Sequence, residues 1–296
     1  MKNPFAYSST IKEQVCKCGK HYGAKWLLIV DEWRDTTSGM CNDCFAKWRI
    51  GQDKQESTDK ETELQLRLTQ KRITFHEQIS GIPLYYQNKT FNNINSNVKG
   101  NMKKVCPECM RYADNYPLDY NAYIKSSKKS YPSLLLASPN IWGVGKTHLI
   151  CAIFHRIIDR WQGFPYRCPM LFTTEPDIYL RIQNTYSMSD AERRTMQSET
   201  DIINELANIP LLAIDDIGKQ KRSDMKFVQR TLFTIFNKRY DSMKPTIFTT
   251  NMNLGQLERY LGANDGAEDD RASFDRLLEM CKGNLWLLEG ESQRGK

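Results

Sequence analysis

Nowhere in its 296 residues does this sequence carry an apolar run approaching the roughly 20 residues that a helix needs to cross a bilayer. That argues against a membrane-spanning role. The first residues, Met1-Lys2-Asn3-Pro4-Phe5, lack the basic-then-apolar layout of a secretion signal. Internal repeats and low-complexity tracts are missing too, which speaks against a repeat array or a polymer-like chain. These absences predict a cytoplasmic protein with no membrane partner. Its nine cysteines are then reduced thiols, suited to metal binding rather than to disulfides. An apolar content of 40% and a charged content of 26% fit a globular chain, long enough for one medium domain plus a smaller one, or for two. The net charge of +7 points mildly to an acidic partner such as nucleic acid, although proteins that bind nothing polyanionic also show it.

What is present falls into three parts. Residues 1–50 hold two close cysteine pairs. Residues 51–80 are highly polar, with Leu64, Leu68, Ile73 and Ile79 as a loose helical stripe. They read as a solvated helix and hinge, the main part of a linker over 51–100. From about Asn101 the pattern alternates between strands and helices, the mark of an α/β domain over 101–296. Strands are expected at 134–138, 168–174, 210–214, 246–251 and 286–288. Helices are expected at 146–161, from Glu175 onward, and at 189–207, 224–240, 254–261 and 271–281.

Gly143-Val144-Gly145-Lys146-Thr147 follows the apolar run 134–137 and reads as strand, glycine-rich turn and helix start. Glycines let backbone N–H groups close around phosphates, and the helix start sets its positive dipole end there. The lysine reaches the β/γ oxygens, and the threonine hydroxyl helps hold Mg²⁺. Asn140, Val144 and His148 complete the expected nucleotide contacts. Sixty-nine residues beyond the lysine, a second apolar strand ends in Asp215-Asp216, where open α/β sheets place their ligands. Asp215 would coordinate Mg²⁺ and Asp216 would polarise an attacking water. The plainer alternative is two acids ending a strand at a solvent-facing turn. Asn251, closing the strand 246–251, either orients that water or caps a turn. Arg271 and Arg276, five apart on a helix, could reach phosphates of a neighbouring and of the same subunit, or could be ordinary surface arginines. The loop departs from its pattern in one respect. Its usual first glycine falls on Asn140; alternatively Pro139-Asn140 opens the loop and Ile141-Trp142 is an insertion.

Cys16-Lys17-Cys18 and Cys41-Asn42-Asp43-Cys44, with 22 residues between the pairs, match a tetrahedral structural zinc site. The first pair has C-x-C spacing, so His21 could replace one thiolate; unmetallated thiols are the alternative. A segment of about 50 residues has too little core to fold alone, and a metal would supply the missing stability. Cys106-Pro107-Glu108-Cys109 has no partner pair nearby and reads as helix-face thiols rather than as ligands. Cys151, Cys168 and Cys281 fall in apolar settings and read as small core residues.

With these pieces placed, the chain resembles the DnaC/DnaI-type helicase loaders within the AAA+ ATPases, over roughly residues 10–296. The likeness rests on Gly81-Ile82-Pro83-Leu84-Tyr85-Tyr86 leading to Lys89-Thr90-Phe91-Asn92-Asn93, and on Gly143-Val144-Gly145-Lys146-Thr147-His148-Leu149. It rests equally on Ile214-Asp215-Asp216-Ile217-Gly218, Asn237-Lys238-Arg239-Tyr240, Pro245-Thr246-Ile247-Phe248-Thr249-Thr250-Asn251 and the ending Leu288-Glu289-Gly290-Glu291-Ser292-Gln293-Arg294. It implies an AAA+ P-loop NTPase fold, a parallel sheet flanked by helices, preceded by a zinc-binding module and a helical linker. It further implies that Lys146, Thr147, Asp215 and Asp216 are the ATP and Mg²⁺ residues, with Asn251 as sensor 1. Arg271 would be the arginine finger and Arg276 sensor 2. The N-terminal module would grip a replicative DNA helicase hexamer. The ATPase, self-associating through its ATP sites, would contact single-stranded DNA. Two basic clusters, Lys219, Lys221, Arg222, Lys226 and Lys125, Lys128, Lys129, could meet such DNA or be solvated faces. Three readings follow: an ATP-switched helicase loader, an IstB-like transposition ATPase acting on duplex DNA, or an adaptor that binds nucleotide without hydrolysing it. The cysteine module favours the loader, because IstB-like proteins usually lack one.

Overall fold

The computed structural model describes residues 9–29, 32–36, 38–75, 80–94, 100–162, 170–189, 192, 195–219, 225–262 and 271–292. Two compact units divide the chain, Met1–Thr69 and Gln70–Lys296.

In the first unit, β1 (Ser9–Val15), β2 (His21–Ile29) and β3 (Glu32–Asp35) pair antiparallel in that order. The turn joining β1 to β2 carries Cys16 and Cys18. It closes by Cys16 N–H donating to Lys20 O (2.9 Å) and Gly19 N–H to Cys16 O (2.8 Å), with Gly19 in the left-handed region at φ +85°. Helix α1 (Asn42–Thr74) starts directly behind Cys41. The sequence places this polar helix at 51 onward. It begins nine residues sooner because Cys44 and its neighbours form its first turn, and Phe45 N–H bonds Cys41 O at 2.9 Å. The expected stripe is not a buried one: Leu68 is buried, while Leu64 and Ile73 are exposed, and Ile79 lies outside the described residues. This polar helix gains local support from pairs such as Gln55 to Asp59 at 2.9 Å, while the Ser57, Thr58, Thr62 and Thr69 hydroxyls satisfy themselves on carbonyls one turn back.

In the second unit a lead-in segment with two 3₁₀ turns, Leu84–Tyr86 and Phe91–Asn93, precedes α2 (Met102–Asn115) and α3 (Tyr120–Ser127). Alternation of strand and helix therefore starts only at β4 (Leu134–Ala137), later than the expected Asn101. Then come α4 (Lys146–Arg160), β5 (Met170–Thr174), α5 (Glu175–Asn184), α6 (Glu199–Asn208) and β6 (Leu211–Ile217). They are followed by α7 (Met225–Asp241), β7 (Thr246–Thr250), α8 (Leu254–Leu261), α9 (Ala272–Met280) and β8 (Leu285–Leu287). The helix expected at 189–207 begins at Glu199, because Ser198 and Asp201 form a capping box there. Cys168 and Asp224, expected to open a strand and a helix, lie outside the described residues.

The five strands run parallel in the order β5-β6-β7-β4-β8. Strands β4 and β7 are buried along their whole length, as a parallel sheet covered on both faces requires. Alternate residues feed two cores. Leu134 and Leu136 join Ile150, Ile153, Phe154 and Ile157 of α4 on one face. Leu135, Leu212 and Phe248 join Ile178, Leu232 and Phe236 of α5 and α7 on the other. Each such side chain contributes about 1.5–3 kcal/mol when fully buried. Because β4 is followed by β5 at the far edge, and β7 returns beside it, the crevice at the C-terminal ends of β4, β7 and β6 is the topological switch point. At the opposite end of the sheet, the fully buried Arg239 donates to Leu206 O (2.7 Å), Ile209 O (2.8 Å), Pro245 O (2.5 Å) and Thr246 Oγ1 (2.7 Å). It satisfies the chain where α6 ends and β7 begins.

Candidate functional site

Strand β4 leads into Ser138-Pro139-Asn140, and a sharp turn forms there. Asn140 has φ +59° and its N–H donates to Asn251 O at 3.0 Å; Ile141 N–H reaches back to Ser138 O at 3.2 Å. This left-handed geometry suits glycine best and asparagine next, so a substituted first glycine accounts for it. Gly143 (φ +77°) and Gly145 (φ +103°) supply the remaining left-handed positions before α4 opens at Lys146. Val144 is buried in the core, which anchors the loop from beneath.

The loop and the strand ends converge. Lys146, nearly buried, donates through Nζ to Asn251 Oδ1 at 2.6 Å and to Ser138 Oγ. Thr147 Oγ1 donates to Asp215 Oδ2 at 2.8 Å, and Thr249 Oγ1 donates to Asp215 Oδ1 at 2.5 Å. Burial, and then the neighbouring Asp216 charge, push the Asp215 carboxyl above its ordinary pKa. Two hydroxyl donors orient a buried carboxylate that a divalent ion would suit, with Thr147 beside it.

Asp216, expected at the end of the strand, lies inside β6, which runs on to Ile217. A register shift between Ile214 and Ile217 opposite β7 marks a bulge. The bulge puts Asp216 at φ +61°, and its N–H donates to Thr249 Oγ1 at 2.8 Å. At this position Lys219 Nζ bonds the Asp216 Oδ2. Lys219, counted among the possible DNA-facing lysines, is therefore committed to an acid of the site; Lys221 and Arg222 lie outside the described residues. Beside this cluster, along the turn after β6, opens a cavity of about 610 Å³ lined among others by Asn140, Trp142, Gly218, Asn251, Arg259 and Tyr260; Lys146, Thr147, Asp215 and Asp216 are not among its lining residues.

Three further expected site residues have other partners within this chain. His148 turns its ring away from the loop; Nε2 bonds Thr90 O (2.9 Å) and Asn93 Oδ1 (3.0 Å), tying α4 to the lead-in segment. Burial holds this imidazole below its usual pKa. Arg271 is half-exposed and pairs with Glu258 at 3.0 Å. Arg276 lies over the rings of Phe233 and Tyr240, at 5.4 and 5.9 Å. Neither arginine lines the cavity. Sequence reasoning missed Ser138, Thr249 and Glu175. Hydroxyls and a glutamate near strand ends carry no signal until the sheet sets them against Lys146, Asp215 and the bulge.

In the first unit, the Sγ atoms of Cys16, Cys18, Cys41 and Cys44 all lie within 4.8 Å of one another, with Cys18 and Cys41 at 3.6 Å. Tetrahedral zinc with Zn–S bonds near 2.3 Å needs sulfurs roughly 3.8 Å apart, so the four fit. His21 stands outside this group. The N–H groups of Cys18 and Cys41 bring the Cys16 thiol down to about 6, while the surrounding sulfurs push Cys44 up to about 12. Cys106 and Cys109, by contrast, sit on α2 with their thiols pushed up by burial, as packed helix-face residues. Cys151 and Cys281 are buried core thiols; Cys168 lies outside the described residues. Among the described residues no helix is long and apolar enough to cross a membrane.

The replicative helicase loader DnaC of Escherichia coli (strain K12) is 28% identical to this chain over 183 residues, 62% of this chain and 63% of that protein. The chain thus spans less than two thirds of that relative's length. Among solved structures, DnaI (18% identity, TM-score 0.50, covering 72% of this chain and 94% of that one) shares the fold. So does the DnaC helicase loader (18% identity, TM-score 0.50, covering 70% of this chain and 100% of that one). The α/β unit has the AAA+ fold, a five-stranded parallel sheet flanked by helices. The sequence model for IstB-like ATP binding protein matches residues 129–296, more than half of the chain and all of the loop, strands and acids just described: the chain belongs to the IstB-like ATP binding protein family.

Proposed function

We propose that this chain is an ATP-switched loader of a replicative DNA helicase. The observation that carries the reading is the meeting of Thr147 with Asp215 at 2.8 Å, beside Lys146 bonded to Asn251 at 2.6 Å. Residues from three separate stretches, Lys146-Thr147, Asp215 and Asn251, thus meet, as a triphosphate site would require. In this reading Lys146 and the loop amides hold the phosphates, and Thr147 and Asp215 hold Mg²⁺, which neutralises charge on the phosphate oxygens. Asp216 polarises the attacking water, and Asn251 senses the γ-phosphate beside Lys146. Arg271, half-exposed and away from its own chain's cavity, suits a neighbouring copy's phosphate, so copies associate through their ATP sites. The role of Arg276 is to brace α9 against α7 through Phe233 and Tyr240. The zinc module grips the helicase hexamer, and the ATPase engages single-stranded DNA, in a cytoplasmic protein. The similarity to DnaC supports this reading, as does the four-cysteine cluster, which lies outside the residues matched by the family.

The family match itself favours a second reading, an ATPase subunit of transposition that works on duplex DNA. Mixing the full chain with a replicative helicase hexamer, with and without ATP, and weighing the complexes separates the two. A hexamer-containing complex whose stoichiometry changes with nucleotide is expected. No complex under either condition, together with preference for duplex DNA, would overturn the loader reading. Lys146→Ala should weaken ATP binding by about 10- to 100-fold, the factor that loss of a charge-assisted bond worth about 1.5–3 kcal/mol implies. Equilibrium titration with a fluorescent ATP analogue measures it.

A further inference from the structure

Glu175 is fully buried at the first position of α5, and the nucleotide chemistry above makes no use of it. Its carboxylate is held by donors from three places. Tyr260 of α8 donates to Oε1 at 2.6 Å, Tyr179 of α5 to Oε1 at 3.0 Å, and the Gly218 N–H to Oε2 at 2.6 Å. A buried carboxylate is costly without such donors, and with them it becomes a rigid node between the elements that supply them. The node sits behind the turn that carries Asp216. From the other side, Thr249 takes the Asp216 N–H at 2.8 Å. The turn is therefore pinned twice, at Asp216 and at Gly218, two residues apart and both left-handed (φ +61° and +96°). A Cβ at Gly218 would come within 2.5 Å of Met252 Cε, so this left-handed position has room only for glycine unless that side chain moves. Gly218 and Tyr260 line the same cavity as Asn251.

We propose that Glu175 is a positioning residue for hydrolysis: it fixes the backbone of the turn after β6, and with it the placement of the Asp216 carboxylate, and ties that placement to α8 through Tyr260. The inference rests on the ATPase reading of the site. It predicts a defect in turnover rather than in nucleotide affinity, because Glu175 touches neither Lys146 nor Thr147 nor Asp215.

The test uses the full chain with Glu175→Gln, Tyr260→Phe and the double variant, each checked for a cooperative melt. Glu175→Gln should lower kcat at least 10-fold while the ATP Kd and KM stay within twofold. Tyr260→Phe should lower kcat less, about 2- to 5-fold, and the double variant should be no slower than Glu175→Gln, since both act through one node. A folded Glu175→Gln protein with wild-type kcat, or with Kd raised in step with the loss of kcat, would overturn the proposal. Should Glu175→Gln fail to fold, Tyr260→Phe decides by the same split between kcat and Kd. Wild-type protein that binds ATP yet never hydrolyses it, with helicase and DNA present, would sink the ATPase reading itself. Wild-type turnover retained in folded Glu175→Gln would sink this inference alone.

Discussion

Asp215 shows how far a single residue can be understood from its type and how far from its surroundings. Two carboxylates after an apolar strand, together with the lysine-threonine loop, made the place of a candidate site legible. Which acid is buried, and which sits at a bulge, was not, because the bulge arises from pairing β6 against β7. Burial raises the Asp215 pKa, so its ionised form costs the fold stability. The sign follows: this group's contribution is fully present below its unfolded pKa, near 4, and is lost as pH rises through the elevated folded value. Asp215→Asn should therefore raise the melting stability at pH 7, by about 0.5–2 kcal/mol, while abolishing Mg²⁺-dependent hydrolysis. At pH 4 and below the difference in stability should vanish. Denaturant melts of both proteins across pH check this; a variant less stable at pH 7 would show that the threonine bonds outweigh desolvation.

At the scale of elements, the buried strands, the phosphate loop and the helix after it were readable from apolar runs and glycine placement. The starts of α4, α8 and α9 fall within a residue of where the sequence places them. Asn253 caps α8 where expected, and Ser198 starts α6 ten residues late, since nothing in the polar run before it favours a packed face. Arg239 belongs to this scale. Its motif, Asn237-Lys238-Arg239-Tyr240, contributed to the family resemblance without a physical role. The fold supplies one, as the guanidinium closes the carbonyls at the end of α6 and the start of β7. Arg239→Met strips the guanidinium from the Leu206 and Ile209 carbonyls and leaves Pro245 O with only the Leu212 N–H at 3.5 Å. The expected cost is about 3–5 kcal/mol, read as a lowered midpoint in urea. A loss under 1 kcal/mol would mean that water or backbone adjustment replaces the arginine.

For the whole molecule, two units with unlike cores share one chain. The second has a two-sided core. The first is a three-stranded sheet and the start of α1, with four thiols gathered where a metal would staple the β1–β2 turn to the helix. Cys41→Ser with Cys44→Ser should release zinc, measured by metal analysis, and loosen residues 9–69, measured by hydrogen exchange. ATP binding by the second unit should remain within twofold, and helicase capture should be lost. Retained capture with the zinc gone would remove the module from the interface. What the sequence by itself determined was local chemistry: residue types whose spacing along a few turns or one loop makes a phosphate cradle or a metal knuckle, because those contacts are made within a dozen residues. Only the tertiary structure decided which side chains from separate strands face one another. That choice put Thr249 and Glu175 to work around the two acids, turned His148 toward the lead-in segment, and left Arg271 and Arg276 away from the cavity, because register and sheet order, not spacing, set distances between residues a hundred positions apart.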